Sequence, residues 1–231
     1  MAVHASREGT IGRLTLDRPR RAHAYDAATL AALLEGATGL AEDCVVIVLS
    51  STGDRAFCSG ADLTELKHAS PLDALNLRSQ QVFTTIARLP AIVIAAVQGA
   101  AVGGGCELAL ACDLRVLGPL ASFSLPETSL GILPSAGGTT RLARLIGVSR
   151  AKALILGGER ISASEALAAG LANRLARDPL AEALAWAETI AARDPAALLL
   201  AKACLDADES PASLARERTA EAILYSLRST R

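Results

Sequence analysis

The chain has 231 residues, of which 51% are hydrophobic, 20% charged and only 3% aromatic, and its net charge is −1. This is a globular composition, long enough to bury a core built from Ala, Leu, Val and Ile. The charge balance excludes an electrostatic footprint for nucleic acid, and no apolar run approaches the length of a membrane span.

Residues 2–7 and 10–16 read as two strands joined at Glu8-Gly9, a hairpin signal. The Asp17-Arg18-Pro19-Arg20-Arg21 segment ends the second strand. Asp26 is placed to cap a helix whose Leu30, Leu33, Leu34, Ala37, Leu40 and Ala41 have helical spacing. Residues 44–49 form an apolar, β-branched run, hence a buried strand, and a loop rich in Ser, Thr and Gly follows over 50–60. Leu72 to Leu89 reads as one amphipathic helix leading to Pro90.

Ala91 to Val97 is a continuous apolar run, short enough to be a strand buried on both faces. Gln98 and Gly99 break it, Gly103-Gly104-Gly105 follow, and Glu107 to Ala111 reads as helix. Beyond Asp113 come short strands at 114–117 and 122–125, a loop over 126–138, and helices at 139–146 and 150–156, the latter capped by Ser149. Ser162-Ala163-Ser164-Glu165 has capping-box spacing and starts a short helix ending near Gly170. From Pro179 onward only helices are expected, at 180–193, 195–206 and 212–227, each with a start signal. The expected organisation is an α/β part over 1–160 and a helical part over 161–231.

Three segments carry residues suited to chemistry. A glycine triplet before a helix lets the backbone approach a bound group and leaves the first N–H groups unpaired at the positive end of the dipole. Such a site suits an oxygen gaining negative charge, and Glu107 lies one turn on. The same residues also describe a helix with an acidic first turn. Gly60-Ala61-Asp62 offers the Ala61 N–H as a second donor, or simply a glycine turn with Asp62 as a cap. Glu127, after Pro126, is by itself a solvated carboxylate or a helix-start acid.

Other signatures fail. Leu108 stands where a dinucleotide fingerprint needs glycine, Gly105 where a P-loop needs lysine, and Phe57 where a nucleophile elbow before Ser59 needs glycine. His4, His23 and His68 lack ligand spacing, so no metal is expected. Five cysteines without a C-x-x-C pair read as reduced thiols in a cytoplasmic protein, with Cys58 and Cys106 as small fillers. His4, Arg7 and Glu8 within residues 1–10 argue against a signal peptide.

Together, AFCSGADLTEL, VQGAAVGGGCELALACDLRV and FSLPETSLGILPSAGGTTRL resemble the enoyl-CoA hydratase/isomerase (crotonase) family in order and spacing, with LTLDRPRRAHAYD, GERISASEALAAGLAN and DPAALLLAKACLD extending the match. The resemblance implies an α/β, crotonase-like spiral of repeated ββα units with a C-terminal all-helical region that helps cover coenzyme A and makes oligomer contacts. It implies an oxyanion hole from the Ala61 and Gly104 amides and catalytic carboxylates at Glu107 and Glu127, with Glu107 activating water and Glu127 supplying a proton. Arg21, Ala22, Ala24, Asp62, Leu63 and Thr64 would line the CoA site. The implied activity is hydration of a 2-enoyl-CoA, with no cofactor beyond the coenzyme A of the acyl-CoA substrate, in a homotrimer or dimer of trimers. Double-bond isomerisation, which needs one carboxylate, and non-catalytic acyl-CoA binding are the alternatives. Thr64, Ser135 and His23 depart from the family's usual lysine, glycine and asparagine, which bears on CoA and acyl-chain contacts. The chain also stops at Arg231, short of the family's usual C-terminal segment, which bears on affinity and assembly.

Overall fold

The computed structural model describes residues 2–66, 70–205 and 210–228. Strands β1 (Val3–Glu8) and β2 (Ile11–Leu16) form the expected hairpin, with Glu8 opposite Ile11. Helix α1 (Ala27–Ala41) follows, and its first turn is closed by the Asp26 carboxylate, which accepts from the Thr29 amide. The chain then repeats a ββα theme. Strands β3 (Val46–Ser51) and β4 (Ala56–Cys58) precede helices α2 (Leu63–Leu66), α3 (Pro71–Leu75) and α4 (Arg78–Ala87). Strands β5 (Ile92–Val97) and β6 (Ala100–Val102) precede α5 (Gly104–Ala111), and β7 (Leu114–Leu117) and β8 (Ser122–Ser124) precede α6 (Gly138–Ile146) and α7 (Val148–Leu156).

In the three units that begin with β3, β5 and β7, the first strand enters one sheet and the second enters another. One sheet has six strands in the order β1-β2-β3-β5-β7-β10, where β10 is Arg174–Leu175, and all but the β1/β2 pair are parallel. The other has four in the order β4-β6-β8-β9, where β9 is Arg160–Ser162. Helix α8 (Ala163–Ala168) lies between β9 and β10, and α9 (Pro179–Ala191), α10 (Pro195–Leu205) and α11 (Pro211–Arg228) end the chain.

The continuous apolar runs of β3 and β5 are explained by burial on both faces. Ile47, Leu49, Val93, Ala95 and Val97 pack into the main core. Their alternates Val46, Val48, Ile92, Ile94 and Ala96 pack against Ala183, Ala187 and Ile190 of α9. Strand periodicity sends successive residues to opposite sides, so both sides must be apolar. Helix α10 is tied to this sheet by Lys202, whose Nζ donates to the carbonyls of Leu89 (3.2 Å) and Ala91 (2.9 Å) and to Asp113 Oδ2 (2.8 Å). Among the described residues, no helix is long and apolar enough to cross a membrane.

The structure departs from the sequence reading in several places. Strands β4, β6, β9 and β10 have only two or three residues each and are held by partners distant in sequence. Because β9 and β10 join the two sheets, the purely helical run starts at Pro179, not at 161. The helix expected over 72–89 is two, because Ser70 caps α3 and the chain turns at Asn76 and Leu77. Ser149 sits inside α7, whose N-cap is Gly147. His68 lies outside the described residues.

Candidate active site

Two turns bring the expected amides together. After β4, Gly60 adopts φ +91° and Ala61 forms a parallel bridge with Tyr25. The bridge bonds run from Tyr25 N–H to the Gly60 carbonyl (2.9 Å) and from Asp62 N–H to the Tyr25 carbonyl (2.8 Å). They use the groups on either side of Ala61, so its own N–H faces the other way, as parallel pairing requires. A Cβ at Gly60 would lie 2.9 Å from the Val102 carbonyl oxygen and 3.1 Å from the Gly104 nitrogen. Only glycine allows this approach at this φ, and it sets the Ala61 peptide beside the first amide of α5. Neither the Ala61 nor the Gly104 N–H has an acceptor among the described residues. The connection before this turn is fixed by Gln98, whose Nε2 donates to Ser51 Oγ (2.6 Å) and to the carbonyls of Ser51 (3.1 Å) and Ala56 (3.0 Å).

The two carboxyls reach the same cavity from different elements. Glu107 lies one turn into α5, its N–H bonded to the Gly103 carbonyl (3.0 Å). Glu127 lies on the 3-10 turn Pro126–Leu130 that follows β8. Both are buried, at 3% and 8% exposure. Gly103 has φ +54°, and a Cβ there would be 2.9 Å from Glu127 Oε1, so the turn that opens α5 also supplies the floor under the second carboxyl.

Their environments differ. Glu107 Oε1 accepts from the amides of Ala136 (2.7 Å) and Gly138 (2.8 Å). Burial pushes the Glu107 carboxyl up to about 7, against those two donors, and the charge of Glu127 adds to the rise. Burial also raises Glu127, and its Oε2 is buried without a hydrogen-bond partner among the described residues. Burial alone would leave a shared proton on the deeper group, Glu107. The two amide donors oppose that, because hydrogen bonds to a carboxylate favour its charged form, whereas Glu127 has only its own backbone amide acting against the rise and its Oε2 has no partner among the described residues.

The cavity has a volume of about 540 Å³. Its wall includes Ala61, Gly104, Glu107 and Glu127, together with Arg21, Ala24, Asp62 and Thr64. Leu77, Leu130, Ile132 and Leu133 give it an apolar side. Arg21 is exposed at the mouth, its Nη1 3.6 Å from Asp62 Oδ2. Ala22 is not part of the wall; its carbonyl accepts the Ser59 amide (3.0 Å) within a left-handed turn at φ +47°. The Leu63 side chain lies outside the described residues. His23 is also no wall residue. It is buried at φ +56°, with Nδ1 accepting from the Arg18 amide (3.1 Å) and Nε2 donating to the Thr52 carbonyl (2.9 Å). Its departure from asparagine therefore bears on the strut behind the site and not on a contact inside it. Cys58 is buried, with Sγ donating to the His23 carbonyl (3.1 Å), and burial pushes its thiol up to about 12, so it remains a neutral filler.

Sequence reasoning missed several residues. Tyr25 lines the cavity, its ring edge-on to Phe83 with centroids 5.7 Å apart. Burial pushes its phenol well above the usual range. The Ala136 and Gly138 amides and the Arg141 side chain were also missed. A hydrophobic aromatic just before a helix cap looks like ordinary core, and backbone donors leave no signal in residue identity.

Comparison with known proteins agrees with this geometry. A short-chain-enoyl-CoA hydratase of Clostridium acetobutylicum is 37% identical over 177 residues, covering 75% of this chain and 68% of that protein. A 2,3-dehydroadipyl-CoA hydratase of Escherichia coli is 42% identical over 169 residues, covering 73% and 66%. The match thus spans about two thirds of these relatives' own lengths. Among solved structures, an enoyl-CoA hydratase from Bacillus anthracis superposes with a TM-score of 0.90 at 36% identity, covering 96% of this chain and 90% of that one. A Thermobifida fusca YX structure in complex with CoA gives 0.91 at 29% identity, covering 100% and 95%. The family profile described as enoyl-CoA hydratase/isomerase matches residues 6–230, and the chain belongs to that family.

Proposed function

We propose that this chain hydrates a 2-enoyl-CoA, adding water across the 2,3 double bond to give a 3-hydroxyacyl-CoA. The observation that carries the reading is the convergence on one cavity of two buried carboxyls and two amides that have no acceptor among the described residues. The hydratases among the relatives support it.

The thioester carbonyl accepts from the Ala61 and Gly104 amides, which draw charge onto its oxygen and stabilise the enolate that forms when Cβ is attacked. Glu107, charged and held by its two amide donors, takes a proton from water as the hydroxyl bonds to Cβ. Glu127, protonated in its unpartnered setting, gives a proton to Cα. One water is consumed, and the two carboxyls exchange protonation states before the next turnover. General acid–base help of this kind contributes roughly 10²–10⁴ in rate per group. No metal or cofactor is called on beyond the coenzyme A of the substrate. Arg21, exposed at the mouth, suits the phosphates of that coenzyme, and the backbone around Ala24, Asp62, Leu63 and Thr64 flanks it.

A homotrimer or dimer of trimers belongs to the same proposal. The apolar Leu214, Ile223, Tyr225 and Leu227 exposed along α11 support it, and light scattering of the purified protein measures it. A cytoplasmic, reducing location is supported by five free cysteines. Incubation with a 2-enoyl-CoA tests the activity: loss of enone absorbance with a product heavier by one water is expected. A product of unchanged mass from a 3-enoyl-CoA, without hydration of the 2-enoyl isomer, would instead make the chain an isomerase working through Glu127 alone.

A further inference from the structure

Glu107 is held by backbone amides, and those amides are themselves held from outside. Three successive peptide units run from Ser135 to Gly138. A trans peptide is planar, with its C=O and N–H pointing in opposite directions, so whatever grips the carbonyl aims the amide. In the first unit the Ser135 carbonyl accepts from Gln80 Nε2 of α4 at 2.6 Å, while the Ala136 N–H of the same plane donates to Glu107 Oε1 at 2.7 Å. In the second, the Ala136 carbonyl accepts from Arg141 Nη1 of α6 at 2.8 Å. In the third, the Gly137 carbonyl accepts from the Arg141 amide (2.9 Å) and Thr140 Oγ1 (3.2 Å), while the Gly138 N–H donates to Glu107 Oε1 at 2.8 Å.

We propose that Gln80 and Arg141 are positioning residues for the reaction: Gln80 grips the Ser135 carbonyl from α4 and so aims the Ala136 amide at Glu107, the Arg141 side chain of α6 holds the Ala136 carbonyl in the peptide plane between the two donating ones, and together they keep Glu107 charged as the base that activates water. Both amide bonds fall on Oε1, and Glu107 lines the cavity, which leaves Oε2 for the water. Arg141 acts twice, because its positive charge also favours the carboxylate. The other groups facing Glu107 are Glu127, which opposes its charge, and Tyr25 and Cys106, both kept neutral by burial. Arg141 itself faces Glu107, Cys112 and Arg88, and its Nη2 reaches Thr84 Oγ1 at 3.4 Å.

The inference rests on the proposed hydration, and the experiment separates the two. The pH dependence of kcat and kcat/KM for a 2-enoyl-CoA is measured for the wild type, Gln80→Ala, Arg141→Ala and Arg141→Lys, with and without added methylguanidinium. Arg141→Ala is expected to lower kcat roughly 10- to 100-fold with little change in KM, and to move the acid limb of the profile to higher pH. Methylguanidinium should restore part of the rate to Arg141→Ala and none to the wild type. Arg141→Lys keeps the charge but loses the planar fork, so it should fall between the two. Gln80→Ala should lower kcat and shift the limb less. If the wild type turns over while both alanine variants keep its acid limb, the positioning role is overturned and the hydratase reading stands. If the wild type itself does not hydrate, the failure lies with that reading. If Arg141→Ala does not fold, Gln80→Ala and Arg141→Lys decide the matter by the same shift.

Discussion

The Tyr25 hydroxyl lies where any side chain at Gly104 would have to go: a Cβ at 104 would run into that oxygen, with Tyr25 Cζ only 2.7 Å away. Tyr25 cannot easily retreat, since its ring is buried and packed edge-on to Phe83. The absence of a side chain at 104 is therefore what keeps the first amide of α5 open to the cavity.

Gly104→Ala should consequently displace that amide while leaving the sheets intact. Loss of one oxyanion donor costs about 2.7–4 kcal/mol of transition-state stabilisation, so kcat should fall roughly 10²- to 10³-fold, measured beside a circular dichroism spectrum that shows a retained fold. A kcat within a few-fold of wild type would remove Gly104 from the oxyanion hole.

Glu107 is costly to the fold in its charged form. Its carboxyl is raised from 4.5 to about 7, so the folded state binds the proton more tightly than the unfolded chain. Stability from this group is complete below pH 4.5 and is lost as pH rises towards 7. At about 1.4 kcal/mol per unit, Glu107→Gln should be more stable than wild type by about 3 kcal/mol at pH 8, with the gap closing towards pH 4.5. Urea titrations across that range check it, and a gap independent of pH would show that the gain has another cause.

His23 makes the opposite contribution. Burial lowers its pKa below the ordinary 6.5, and the neutral ring is the form that accepts from the Arg18 amide while donating to Thr52. The stability this supplies is present above pH 6.5 and is lost as pH falls below it towards the folded-state pKa. His23→Asn keeps a residue that tolerates the left-handed backbone and removes the titration, so the decline in stability below pH 6.5 should flatten. An unchanged acid profile would assign the decline to other groups.

Much of this arrangement was legible in residue order, and the reasons are physical. The runs at β3 and β5 were readable because burial on both faces leaves no polar position to confuse the pattern. Asp26, Ser162 and the Asp178-Pro179 start signal act within a few residues of themselves, so they could be read locally. Strands β4 and β6 were hidden because parallel pairing comes from the neighbouring unit, and the Gln98-Gly99 break looks like the end of a strand when it is the corner between two sheets. At the site, the glycine triplet and the two glutamates stood out by type and spacing. Tyr25, and the Ser135–Gly138 peptides with their holders Gln80 and Arg141, did not, because what matters there is where a backbone plane points.

The most direct test is hydration of a 2-enoyl-CoA in H2¹⁸O by the wild type and by Glu127→Gln, with the products read by mass. The wild type is expected to place one ¹⁸O on C3, and Glu127→Gln, still folded, to lose most of that turnover. Label incorporation by Glu127→Gln at close to the wild-type rate, or none by the wild type, would contradict the convergence of Glu107 and Glu127 on one reacting acyl group.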